Sequence, residues 1–162
     1  AAARARPPGA MVYHQRMNSG DAIGMDSGRQ GDAEYVLAAI DWPALAARHG
    51  WRLVVLFGSN ADGADGRDID LAVLPAAIPD LLEHGRWQAE LEGLLAPWPV
   101  DLLLLSPATS PVTRFEVFRA GRCLVEAEAG LFERERDRSF FLYADSEWFR
   151  RQQGEALLGK TG

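Results

Sequence analysis

The sequence predicts an α/β domain of the α+β type, in which a small mixed sheet of three to four strands is flanked by helices. Two apolar runs, residues 53–57 and 69–74, have the length of buried strands, and a polar, glycine-rich loop joins them. A third apolar run covers residues 100–105, and residues 123–126 form a brief fourth. The residues alone leave the strand order open, because any of the three long runs could lie at the edge of the sheet.

Four segments have the composition and end signals of helices: residues 42–49, 80–95, 112–120 and 131–158. Asp41 is expected to cap the first of these helices and Gly50 to end it, and Ser110 is expected to cap the third. The last segment is compatible with one long helix or with two, the second starting at Asp145. Residues 33–40 fit either a short helix or an edge strand.

The apolar positions of these helices predict which side chains face the core. In the helix over 80–95 the expected buried stripe consists of Leu81, Leu82, Leu91, Leu94 and Leu95. The helix over 112–120 should bury Phe115 and Phe118. Residues 140–149 of the last segment include five aromatic side chains, which pack on the sheet or leave part of that face as an interface with a partner.

Length and composition limit the classes of function. At 162 residues and 17.8 kDa, the chain is expected to contain a disordered leader over 1–32 and one domain over 33–162. The leader is also compatible with an arm that orders on a partner. A formal net charge of −6 argues against a general nucleic-acid binder. No uncharged apolar segment has membrane-spanning length. Cys123 is the single cysteine, which excludes an internal disulfide and fits a cytoplasmic protein.

The first strand ends in Gly58-Ser59, a pair suited to binding phosphate. Glycine lets the backbone turn sharply and bring its N–H groups close to a ligand, and the serine adds a hydroxyl. The sequence therefore predicts an anion site at this turn.

The second strand opens with Asp68-Ile69-Asp70, which predicts a metal site. Residues i and i+2 of a strand project from the same face, so both carboxylates point the same way. Their repulsion would push one toward protonation, and Mg²⁺ removes that penalty while bridging to substrate phosphates. Asp101, at the start of the third run, is the candidate third carboxylate.

This combination of Gly58-Ser59, a short loop, Asp68-x-Asp70 and a later Asp101 resembles the DNA polymerase beta type nucleotidyltransferase superfamily. The small size resembles the minimal nucleotidyltransferases, the MNT proteins encoded beside HEPN-domain toxins, and the resemblance covers roughly residues 43–158. It implies the polymerase beta-like fold, with Mg²⁺ held by Asp68 and Asp70. It also implies that Gly58 and Ser59 hold the triphosphate of ATP, and that Asp101, a further metal ligand, helps to activate the acceptor hydroxyl.

The loop between Ser59 and Asp68 departs from the family pattern. It has eight residues, fewer than is common in the family, and Asn60 and Asp62 stand where a positive charge would help to bind a triphosphate. Arg67 could supply that charge or pair with Asp68.

The resemblance implies a Mg²⁺-dependent enzyme that moves AMP from ATP to a hydroxyl of a protein partner, a HEPN-type toxin, and so acts as an antitoxin. Two alternatives stay open. One is a small-molecule nucleotidyltransferase of the aminoglycoside-modifying kind. The other is a non-catalytic module that neutralises its partner by binding alone.

Overall fold

The computed structural model describes residues 28–62 and 66–158 and contains five helices and four strands in these ranges. In chain order they are α1 (Gly28–Ala38), α2 (Trp42–His49), β1 (Trp51–Phe57), β2 (Ile69–Pro75), α3 (Leu81–Leu94), β3 (Val100–Leu104), α4 (Pro111–Arg119), β4 (Arg122–Glu126) and α5 (Leu131–Leu158). The predicted α/β class, with helices flanking a small mixed sheet, is confirmed.

The four strands form one sheet in the order β3-β2-β1-β4. β1 is antiparallel to both β2 and β4, whereas β2 and β3 run parallel. The end of β1 and the starts of β2, β3 and β4 therefore meet at the same end of the sheet. This end carries the residues that the sequence singles out for chemistry.

Alternation along the central strands creates two apolar faces. On one face, Val54, Leu56 and Leu71 pack with side chains of α2 and α3. On the other, Leu53 and Val55 pack with Phe118 of α4 and Leu131 of α5. Both central strands are buried on two sides, which explains why they are apolar at nearly every position.

The capping signals predicted the helix starts correctly. The Asp41 and Ser110 side chains accept hydrogen bonds from the backbone N–H groups of Ala44 and Thr113, at 3.1 Å each. Gly50 ends α2 in the left-handed conformation, with φ +67°.

The predicted buried stripe of α3 is wrong for three of its five leucines. Leu81 is 87% exposed, and Leu82 and Leu94 are 64% and 46% exposed. The stripe that faces the sheet is Trp87, Leu91 and Leu95, spaced four residues apart. A tryptophan surrounded by polar residues gave a weaker signal than the leucine pairs, although it fills more of the core. In α4, Phe118 is buried as expected, while Phe115 is half-buried and stacks on Tyr143 with ring centroids 4.2 Å apart.

The segment left open between helix and strand is helical. α1 begins at Gly28, so residues 28–32, expected in the leader, belong to a helix, while the expected leader over 1–27 lies outside the described residues. Within α1, Leu37 is buried in the core and its carbonyl accepts a 3.0 Å hydrogen bond from the indole N–H of Trp42. Arg122, at the start of β4, donates two hydrogen bonds to the Glu34 carboxylate at 2.9 and 2.7 Å.

The last segment is one continuous helix, without a break at Asp145. One face of α5 packs on α4, whereas Phe141, Trp148 and Phe149 of the same helix are more than half exposed. In the part of the chain that the structure describes, no helix is both long and apolar enough to cross a membrane.

Cys123 should be unreactive in the folded protein. Burial, followed by the nearby charges of Glu126 and Glu133, raises the pKa of its thiol to about 12. Because only the thiolate reacts, native Cys123 should be alkylated by iodoacetamide at pH 8 about 1,000-fold more slowly than the same thiol in urea-unfolded protein. Mass spectrometry of quenched samples measures both rates, and native labelling within tenfold of the unfolded rate would contradict the expectation.

Candidate active site

The candidate site lies where β1 ends and β2 and β3 begin. Asp70 pairs with Phe57 across the antiparallel ladder and with Asp101 across the parallel one. Neighbouring strands are about 4.8 Å apart, so this register sets the Asp70 and Asp101 backbones side by side. Ile69 faces the α2 and α3 side of the sheet, and alternation therefore directs Asp70 to the opposite face, where Phe57 also lies.

The Gly58 backbone lies directly against the Asp70 carboxylate. A Cβ placed on Gly58 would lie 2.1 Å from Oδ2 of Asp70, far inside contact distance. Gly58 also has φ +70°, a left-handed conformation that other residues rarely adopt. Both observations require glycine here, because any side chain would displace the carboxylate and strain the turn.

The loop after Gly58 folds back on itself. The Asn60 side-chain amide donates to the backbone carbonyl of Asp68. Gly66 lies so close that a Cβ there would be 2.6 Å from Oγ of Ser59 and 2.4 Å from Nδ2 of Asn60. These contacts fix Ser59 beside the start of β2, and they are contacts that the sequence did not reveal.

Asp70 is electrostatically coupled to both other aspartates. Its pKa is raised by partial burial first, and then by the charges of Asp68 and Asp101. The site thus concentrates negative charge at a half-buried carboxylate, and a cation would relieve the cost. Asp68 and Asp101 are themselves exposed.

The donor set suits a divalent cation, since it consists of carboxylate oxygens only. Within residues 28–62 and 66–158, however, no three acidic, histidine or cysteine side chains converge tightly enough to form a complete metal site. Asp70 and Asp101 are the adjacent pair, while Asp68 immediately precedes β2. A cation here would draw its remaining ligands from substrate phosphates and water.

Arg67 does not pair with Asp68. Its side chain is exposed, forms no ion pair with another described residue, and lines a cleft of about 620 Å³ together with Tyr35 and Val36 of α1. The ion-pair alternative for Arg67 is therefore wrong.

The sequence profile described as "Polymerase beta, Nucleotidyltransferase" matches residues 44–129, more than half of the chain. The chain belongs to this nucleotidyltransferase family. The matched region contains Gly58, Ser59 and the three aspartates, whereas α1 and α5 lie outside it. No match was found among curated proteins.

Solved structures share the fold of this nucleotidyltransferase. A chain from the complex of tri-AMPylated Shewanella oneidensis HEPN toxin with MNT antitoxin is 21% identical, with a TM-score of 0.58 over 81% of this chain and 99% of that one. A chain of a toxin-antitoxin structure with AMP-PNP is 23% identical, with a TM-score of 0.57 and the same coverage. A chain of the MntA-HepT complex is 22% identical, with a TM-score of 0.53 over 80% of this chain and 97% of that one.

Proposed function

We propose that this protein is an antitoxin that transfers AMP from ATP to a hydroxyl group on a HEPN-type toxin, with Mg²⁺ as the divalent cation. The observation that carries the proposal is the position of Asp70, held between the Gly58 backbone and Asp101 at one end of the sheet. Family membership supports the reaction type. The similar structures, which include a complex with a tri-AMPylated HEPN toxin and a complex with AMP-PNP, support the choice of donor and partner.

Each candidate residue has its own role in the proposed reaction. Asp68, Asp70 and Asp101 would hold Mg²⁺, which neutralises phosphate charge and lowers the pKa of the acceptor hydroxyl. The backbone N–H groups at Gly58 and the Ser59 hydroxyl would bind the phosphates. The acceptor oxygen bonds to the α-phosphorus, the bond to the departing pyrophosphate breaks, and Asp101 accepts or orients the hydroxyl proton. Most of the rate enhancement comes from positioning and charge neutralisation.

The proposed function also places the protein in the cytoplasm. ATP and a toxin made in the same cell are available there, and a chain with one cysteine needs no oxidising compartment.

Label transfer from ATP tests this function. The protein is incubated with Mg²⁺, a co-encoded HEPN-domain partner and ATP labelled at either the α- or the γ-phosphate. We expect the partner to acquire the α-label and not the γ-label, because AMP rather than phosphate moves. The double variant Asp68→Ala/Asp70→Ala should transfer no label while still binding the partner in a pull-down.

A non-catalytic binder is the second candidate, favoured by the absence of a closed three-ligand cluster among the described residues. If the double variant still neutralises the toxin in growth assays, and if the unaltered protein transfers no label, binding alone is the function. Transfer to an aminoglycoside and not to the partner would instead indicate a small-molecule enzyme.

A further inference from the structure

The peptide group between Asp68 and Ile69 is hydrogen-bonded on both sides. Its carbonyl, which belongs to Asp68, accepts from the side-chain amide of Asn60. Its N–H, which belongs to Ile69, donates to the Pro99 carbonyl at 2.8 Å. The two polar groups of a trans peptide point in opposite directions, so one bond reaches toward the end of β1 and the other toward the start of β3. This peptide group is therefore fixed between the two neighbouring segments.

The hydrogen bond from Asn60 begins where the pairing between β1 and β2 stops. The last ladder pair at this end of the sheet is Phe57 with Asp70, and Asp68 lies beyond it, just before β2. Asp68 has no partner in this ladder. The Asn60 side chain supplies the donor that a further residue of β1 would have provided, and it thereby extends the pairing to Asp68.

The Asn60 side chain is itself held in place by the loop. The Ala61 N–H donates to the Gly58 carbonyl at 3.1 Å, so Asn60 lies in a tight turn. Gly66, which is buried, packs against the amide from the other side. A Cβ on Gly66 would lie 2.4 Å from Nδ2 and 2.7 Å from Cγ of Asn60. The amide therefore has little room to rotate away from the Asp68 carbonyl.

Asp68 needs this support because its carboxylate lies among like charges. Its side chain is exposed, and its charge contributes to the raised pKa of Asp70, so the two carboxylates interact. Their repulsion favours conformations in which Asp68 moves away from Asp70. A hydrogen bond to the backbone of Asp68 opposes that movement without neutralising either carboxylate.

We propose that Asn60 is a positioning residue, which keeps the Asp68 carboxylate near Asp70 by fixing the peptide group that follows Asp68. The proposal rests on the proposed function, in which both aspartates hold the divalent cation. Asn60 contacts neither the cation nor the nucleotide and acts only through the backbone of Asp68. The competing role is a direct one, in which the Asn60 amide binds the phosphates of ATP.

Metal binding in the absence of nucleotide tests this role. The full chain is titrated with Mn²⁺, a paramagnetic substitute for Mg²⁺, and the free ion is measured by electron paramagnetic resonance. Asn60→Ala should weaken Mn²⁺ binding about tenfold, a usual effect of removing a group that orients a metal ligand. Gly66→Ala should also weaken it, because the added Cβ would displace the Asn60 amide.

A double-mutant cycle shows whether Asn60 acts through Asp68. Asp68→Asn removes one carboxylate charge and should itself weaken Mn²⁺ binding. If the two residues act as one unit, adding Asn60→Ala to this variant should weaken binding no further. Independent contributions would instead multiply, and that result would overturn the positioning role.

Two measurements protect this test against a general loss of fold. Gln153→Ala is the matched control, since it removes an exposed amide from α5. It should bind Mn²⁺ as the unaltered protein does. The unfolding midpoint of Asn60→Ala should stay close to that of the unaltered protein, because the ladders that join β2 to β1 and to β3 remain intact.

The outcomes distinguish this proposal from the proposed function. An Mn²⁺ affinity of Asn60→Ala within about twofold of the unaltered value would overturn the positioning role, even if AMP transfer proceeds. If that variant also loses affinity for a non-hydrolysable ATP analogue at saturating Mn²⁺, the amide binds the phosphates instead. Coupling between Asn60 and Asp68 in Mn²⁺ binding, without AMP transfer to a partner, would support the positioning role and refute the proposed reaction.

Discussion

Replacing Asp70 with asparagine should lower AMP transfer about 1,000-fold and at the same time leave the fold at least as stable. The loss of activity follows because the cation would lose its most enclosed carboxylate, and metal stabilisation of transferring charge contributes several kcal/mol, about 4 of which correspond to 1,000-fold. The initial rate of label transfer from ATP measures this effect. The control Asp137→Asn makes the same chemical change on the exposed surface of α5 and should retain full activity.

The stability half of this prediction follows from the pKa of Asp70. Burial and two neighbouring carboxylates raise that pKa, so the folded state holds the Asp70 proton more tightly than the unfolded chain does. Charged Asp70 therefore destabilises the fold, and the effect develops as the pH rises through the raised value. Asparagine, which stays neutral, should gain stability relative to Asp70 over that range and lose the advantage in acid. Denaturant midpoints at several pH values test this, and a fold weakened at neutral pH would contradict it.

Replacing Arg114 with alanine should destabilise the protein by about 3–5 kcal/mol, the usual effect of removing one partner from a buried ion pair. Arg114 is 3% exposed, and it donates to Glu135 of α5 at 3.1 Å and to the Ser106 carbonyl at 3.0 Å. Its loss leaves the mostly buried Glu135 carboxylate with only the more distant Arg138 guanidinium, 3.9 Å away, as a charge partner. Since whole domains are stable by about 5–15 kcal/mol, urea unfolding should show a large shift in midpoint.

A surface pair provides the comparison for Arg114. Arg151 and Glu147 form an i,i+4 ion pair at 3.0 Å in α5, with the arginine 74% exposed. Arg151→Ala should cost less than about 0.5 kcal/mol, because exposed pairs are screened by solvent. Equal effects of the two substitutions would show that Arg114 does not hold α4 and α5 together.

The strands and helix starts could be predicted from the sequence because their signals are local. The apolar runs determine the strands, and Asp41 and Ser110 form caps within three residues of chain. The side chains on the sheet side of α3 depend instead on distant packing, which is why Trp87 was missed and Leu81 was wrongly placed in the core.

In the candidate site, too, local sequence signals predicted the residue types, whereas contacts between distant segments could not be predicted. The residue types at Gly58, Asp68 and Asp70 predicted a phosphate and metal site, but only strand pairing sets Asp101 next to Asp70. The cleft between α1 and the end of the β1–β2 loop could not be predicted, because it is lined by residues that are distant in the sequence, such as Tyr35 and Arg67.

Because Phe57 pairs directly with Asp70, the position of Asp70 does not depend on the length of the loop between the two strands. The ladder pair lies just outside that loop, so residues gained or lost between Ser59 and Asp68 change the hairpin tip and leave Asp70 in register with Phe57. A relative with a longer connection can therefore keep Asp70 beside Asp101. Insertion of one residue within β2 would be different, since it would turn Asp70 into the core and bring its apolar neighbour to the surface.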